Sequence, residues 1–196
     1  VAVNHASACV PVLSFGLSFR LFPLFLTGAA VLGRGHYLAL AREHAKRLFG
    51  IKEDAPLAAF MEELKTSPEM KKSGRCLDIG PVWDPLHRLM TDGELDPSGG
   101  DFPHNHIVLG GRQLHHGDDF SAILIRPDMV GFVSEALNEL KQIEVREKFE
   151  ALPASYAKPR GEKEFAELWL AVQKMRVFFD AAAENLEAVV FTVKYQ

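Results

Sequence analysis

Cysteine is scarce in this sequence: Cys9 and Cys76 are its only two. Two distant thiols make neither a disulfide framework nor a CxxC redox pair nor a four-ligand zinc pattern, and such usage fits a reducing, cytoplasmic setting. Basic excess is missing as well, with 22 Lys and Arg against 26 Asp and Glu and a net charge of −4. Without clustered cations to release counterions from phosphate, nucleic acid is not an expected partner. No apolar run reaches membrane length. The longest, Leu21 to Gly33, has about thirteen residues where roughly 20 are needed to span a bilayer core. Also absent are a nucleophile elbow, a Walker loop and a dinucleotide fingerprint, so no cofactor is implied; Gly110-Gly111 lacks the glycine spacing and the following helix that would cradle phosphate. What is present is the composition of a folded chain, 47% hydrophobic and 24% charged. That is enough apolar material to offset chain entropy, which disordered sequences do not have.

The first 33 residues stand apart, because Arg20 is their only charged side chain while charges recur every few positions from Arg34 to Arg47. Residues 1–33 are read as an apolar N-terminal extension outside the core. Val1 is consistent with a start placed too far upstream or with a trimmed methionine. A second reading is a secretory signal, with Ala29 and Ala30 near its end, which would export the protein; its basic region is poor. A third makes the segment part of the fold. Residues 34–196 are expected to form a single domain.

Along that domain, Gly35–Leu40 has the look of a short strand leading into a helix from Arg42 to Phe49, which Gly50 stops. Asp54 is placed to cap the next helix, with Pro56 in its first turn and Leu57, Phe60, Met61 and Leu64 on one face. Lys65–Gly74 reads as a polar connector. Arg75–Ile79 is a short strand, and Gly80-Pro81 precedes a brief helix carrying Trp83, Leu86, Leu89 and Met90, with Pro85 in its first turn. Asp96–Asp101 is a loop. His104–Gly110 and Phe120–Arg126 are expected to pair as a hairpin with a long polar tip. Helices follow from Pro127 and from Ile143, and the longest runs from about Glu162 to Glu184, where Phe165, Leu168, Trp169, Val172, Met175 and Phe179 keep the helical interval. Ala188–Tyr195 is a closing strand. The order suits an α+β fold: a small mixed or antiparallel sheet of about four strands covered by about six helices.

Three stretches in order resemble the YfbM-like family of uncharacterised bacterial proteins. These are Leu77–Gly93, where an apolar-acidic strand end leads to a tryptophan, a Leu-His pair and a Thr-Gly stop; Ile107–Gly111, an apolar run ending in a glycine pair; and Phe178–Glu184 with Ala188–Phe191, the closing helix and strand. The resemblance covers roughly residues 34 to 196. Where the family often has a Gly-Tyr-Gly-Pro-Ala-Arg-like stretch, this chain has Gly117-Asp118-Asp119-Phe120-Ser121-Ala122, the mark of a divergent subgroup. The resemblance implies a fold and little chemistry.

Two constellations carry chemical groups. Asp78, Trp83, His87 and Arg88 are grouped in sequence, and Trp83 and His87, four apart, share a helical face. They form either a pocket with an aromatic floor, an imidazole and a carboxylate, or a core tryptophan beside a histidine bonded to a buried carbonyl or to Asp78. His104, His106, His115, His116 and Asp119 are the second group. On a hairpin they would offer imidazole and carboxylate to a divalent metal, but no HExxH helix or cysteine pair supports this, and solvated hairpin residues are the plainer reading. Ser121 near His115 and Asp119 has the residue types of a triad without its context. The expected function is a non-catalytic interaction or accessory module, of inhibitor type, with a protein partner. The alternative is a small enzyme or ligand binder using a pocket around Trp83 and His87.

Overall fold

The computed structural model describes residues 33–195. Residues 1–32, with Cys9 and the extension and signal readings, lie outside the described residues, as does Gln196.

The chain runs through β1 (Gly35–Leu40), α1 (Arg42–Gly50), α2 (Asp54–Thr66), α3 (Pro68–Lys72), β2 (Cys76–Gly80) and α4 (Trp83–Met90). After a 3₁₀ turn at His104–Ile107 come β3 (Arg112–His116), β4 (Phe120–Ile125), α5 (Pro127–Glu139), α6 (Gln142–Glu150), α7 (Glu162–Glu184) and β5 (Ala188–Lys194). The five strands form one sheet in the order β2-β1-β5-β4-β3, antiparallel at every pairing. The closing strand is therefore the centre of the sheet, with Phe191 paired to Tyr37 on one side and to Ile123 on the other.

Period-two alternation assigns each central strand two buried faces. Tyr37, Ala39, Ile123, Ile125, Val189, Phe191 and Val193 join the core under α4 to α7, whereas Leu38, Leu40, Ala122, Leu124, Ala188 and Val190 join the core under α1 to α3. Helices on both faces explain why β4 and β5 read as unbroken apolar runs rather than as alternating ones. On the larger side Tyr37, Phe191 and Trp83 form an aromatic row with ring centroids 5.1 and 6.0 Å apart, each pair adding about 0.5–1.5 kcal/mol beyond its buried area. Leu57, Phe60, Met61 and Leu64 are the buried face of α2. Pro127 opens α5 at a position whose N–H has no helical partner. Gly161 precedes α7, its N–H donating to Glu164 Oε2 at 3.1 Å.

The α+β architecture is as the sequence indicates, with five strands and seven helices among the described residues instead of about four and six. The hairpin is differently built. His104–Ile107 forms a 3₁₀ turn, and the strand that pairs with β4 is Arg112–His116, inside the stretch assigned to the polar tip. Ile107, Val108 and Leu109 are apolar because this connector is buried in the larger core, not because it is a strand. Asp54 is the first residue of α2 rather than its cap, which falls on Glu53 without a side-chain bond. The Lys65–Gly74 connector contains α3, started by Ser67, whose Oγ accepts from Met70 N–H at 3.3 Å. No helix among the described residues is long and apolar enough to cross a membrane.

Candidate functional site

The turn between β2 and α4 separates the four residues grouped in sequence. Gly80 ends β2 at φ 61°, a left-handed conformation suited to glycine, and α4 then drives its first turn into the core. Trp83 is fully buried, its Nε1–H donating to Gly33 O at 2.9 Å. The indole fits because residue 35 is glycine: a Cβ there would lie 3.0 Å from the Trp83 ring and 2.8 Å from that of Phe191. His87, one turn on, is fully buried too. Its Nε2 lies 2.8 Å from Asp96 O and so carries the proton, while Nδ1 has no partner among the described residues. Burial lowers the His87 pKa and keeps the imidazole neutral. Asp78 lies elsewhere, on the outer strand β2, accepting from Arg34 at 2.6 and 3.0 Å and from Gly80 N–H at 2.7 Å. Burial pushes its carboxyl up, and the Arg34 and Gly80 bonds outweigh that and hold it below the ordinary value. Trp83 and His87 are thus neighbours, but both are closed off from solvent, and Asp78 does not join them.

Arg88 leads to a different group. One helical turn before it stands Asp84, and Arg88 Nε donates to Asp84 Oδ1 at 2.8 Å, with side-chain exposures of 10% and 5%. Arg88 Nη1 also donates to Gly93 O at 3.1 Å and lies 3.4 Å from Ser155 Oγ, tying α4 to the loops on either side. Lys158 Nζ stands 4.0 Å from Asp84 Oδ2. Burial lowers the Lys158 pKa against the opposing pull of Asp84, while burial first and Asp84 second push the Tyr156 phenol up to about 12. Beside this pair opens a cleft of about 110 Å³ lined by Pro81, Pro85, Phe149, Tyr156, Lys158, Glu164 and Glu167, among others. Asp84, Tyr156 and Lys158 were not singled out in the sequence. Asp84 had a signal, its i,i+4 spacing from Arg88; the other two sit in a proline-containing connector with no periodicity to mark them.

The histidines do not converge. His104 and His106 lie in the 3₁₀ turn, and His106 stacks edge-on against Phe102 at 5.0 Å. His115 is held between Asp54, 3.0 Å from its Nδ1, and Asp119, 3.2 Å from its Nε2, with its ring stacked on Phe120 at 4.0 Å. The carboxylates thus flank opposite ring nitrogens. His116 Nδ1 lies 3.0 Å from Ser121 Oγ, which lies 2.9 Å from the Tyr195 hydroxyl. Ser121 is fully buried and bonded to His116, not to His115. Among the described residues no three His, Cys, Asp or Glu side chains are placed to share a metal ion.

A groove of about 280 Å³ runs between β3 and the junction of α1 with α2. Leu48, Ile51, Leu57 and Leu114 supply its apolar lining, and Lys52, Glu53, Asp54 and Arg112 supply two charges of each sign. Phe49, also in its lining, is 54% exposed.

A family model described as a domain of unknown function, DUF1877, matches residues 33–192. The chain belongs to the DUF1877 family. Among the described residues of this DUF1877 chain, the matched span takes in all seven helices and four complete strands, and it ends within β5. Among solved structures, the crystal structure of a protein of unknown function, YfbM from Escherichia coli, is similar with a TM-score of 0.58 and 19% identity over 82% of this chain and 99% of that one. At that identity the likeness is one of fold, and it bears out the resemblance to YfbM-like proteins drawn from Leu77–Gly93, Ile107–Gly111 and Phe178–Phe191. No curated protein matches.

Proposed function

We propose that this DUF1877 chain is a non-catalytic module that binds an extended segment of a partner protein along the outer edge of β3. One observation carries this: β3 is the last strand in the sheet order, so among the described residues its outer backbone edge has no strand beside it, and the 280 Å³ groove adjoins it. A segment added there hydrogen-bonds its main chain to β3, and every second side chain reaches over Leu48, Ile51 and Leu57. Lys52, Arg112, Glu53 and Asp54 in the groove lining supply charges of both signs, which select a partner by pattern rather than by net charge.

The state of the reactive groups supports binding over catalysis. Ser121 and His87 are fully buried, and burial raises the Cys76 thiol pKa, which disfavours the nucleophilic thiolate. A general base has to come within hydrogen-bond reach of its substrate. At the alternative site, Trp83 and His87 are both fully buried among the described residues, which favours a packing role for them.

The test is selection of random displayed peptides on the full chain, followed by mapping of backbone amide shifts. Selected peptides are expected to move the amides of Leu48–Leu57 and Arg112–His116. Leu114→Lys, which sets a charge on the edge, is expected to weaken them about tenfold. Peptides that map to other surfaces, or that bind Leu114→Lys as tightly as the native chain, would refute the proposal.

A further inference from the structure

The cleft beside the Asp84–Arg88 pair holds polar groups that the fold leaves without full partners. Lys158 Nζ has as its only carboxylate neighbour among the described residues Asp84 Oδ2, at 4.0 Å. Tyr156 is 5% exposed, yet its hydroxyl has no hydrogen-bond partner among the described residues. The oxygen itself reaches solvent at the cleft, where an incoming group can meet it. The lining of the same cleft also includes Glu164, whose Oε2 accepts from the Gly161 N–H, and the exposed Glu167, which has no ion-pair partner among the described residues. Pro81, Pro85 and Phe149 supply an apolar surface between them.

Size and charge together narrow the occupant. A volume of about 110 Å³ is a few times the ~30 Å³ share of one water and well below the roughly 300–1,000 Å³ of sites for drug-sized ligands. A lone carboxylate would meet Lys158 and the Tyr156 O–H but face two glutamates unpaired; a lone amine would meet the glutamates but face Lys158. One small molecule carrying both charges satisfies both sides.

The geometry points to a binding site for a free α-amino acid with a small apolar side chain. Its carboxylate accepts from Lys158 and the Tyr156 hydroxyl, its ammonium donates to Glu164 and Glu167, and its side chain rests on the prolines and Phe149. The Asp84–Arg88 pair is a positioning element: it fixes α4 against the loops at Gly93 and Ser155 and holds a negative charge behind Lys158. The site lies among α4, α6, α7 and the connector before α7, with no residue of β3 in its lining, so an amino acid there and a peptide on the β3 edge are read out at different residues.

L-valine, isovalerate and isobutylamine titrated into the full chain test this by backbone amide shifts. L-valine is expected to give saturable shifts at Val82, Trp83 and residues 154–167, and the two single-charge analogues to bind at least about tenfold more weakly. Tyr156→Phe keeps the ring in place and is expected to weaken L-valine several-fold; Lys158→Met is expected to weaken it about tenfold or more. Thermal unfolding of each variant confirms that it is folded. The proposal is overturned if L-valine gives no saturable shift up to about 10 mM, if the three probes bind alike, or if a folded Tyr156→Phe and a folded Lys158→Met both bind L-valine like the native chain.

Discussion

Replacing Arg88 by methionine keeps the length and apolar bulk of the stem while removing the cation from a pair whose side chains are 10% and 5% exposed. So little exposure leaves almost no solvent screening to discount. Asp84 then loses its 2.8 Å donor and, among the described residues, keeps only Lys158 at 4.0 Å, while the Gly93 carbonyl loses its 3.1 Å donor and the more exposed Glu94 its 3.5 Å ion pair. Removing one member of a buried pair costs about 3–5 kcal/mol because the remaining charge stays desolvated. Lys158 offsets part of that, which places Arg88→Met near the lower limit, about 3 kcal/mol. For a chain of this size that is a fall of roughly 6–12 °C in Tm. Adding Asp84→Asn removes the stranded charge and is expected to restore at least half of the loss, a non-additivity typical of groups in contact. Urea unfolding followed by circular dichroism, with an unchanged denaturant slope, gives both quantities. A cost below about 1 kcal/mol for Arg88→Met, or strict additivity in the double variant, would show that water reaches the pair and that its burial has been misjudged.

Tyr37→Phe deletes the hydroxyl that donates to Ile107 O at 2.5 Å, stranding a buried carbonyl at a cost of about 1–3 kcal/mol; calorimetry of the variant measures it. Acid should weaken the fold through His87. Burial lowers its pKa from the ordinary 6.5, so the unfolded chain takes up a proton that the folded chain refuses. The His87 contribution is therefore whole above about pH 6.5 and is lost as pH falls below it. His87→Gln, which retains an N–H donor for Asp96 O and cannot titrate, is expected to flatten the slope of unfolding free energy against pH between about 7.5 and 5; an unchanged slope would contradict the assignment.

Legibility in the sequence followed burial. Helix α7 could be read end to end because one face stays apolar at helical intervals from Phe165 to Ala182, and β4 and β5 because both of their faces are covered. The hairpin misled for the same physical reason in reverse. Ile107-Val108-Leu109 imitates a strand because a buried connector must be apolar, while Arg112–His116 imitates a loop because an edge strand exposed on one side tolerates polar residues. Helix α3 was marked by Ser67-Pro68-Glu69, a cap followed by a first-turn proline, but its five residues are too few to display a period. At the site, the spacing of Trp83 and His87 gave their shared face correctly and could not give their depth. Tyr156 and Lys158 come to Arg88 only through tertiary packing of the connector between α6 and α7, which no local pattern encodes.

Hydrogen–deuterium exchange at the amides of Arg112–His116, with and without a selected peptide, tests the binding-module reading most directly. In the free chain the outward amides of β3 should exchange fast, since no strand covers them, and the peptide should slow them while leaving β1 and β5 unchanged. Outward β3 amides that exchange at the same rate with the peptide bound would contradict strand addition at this edge.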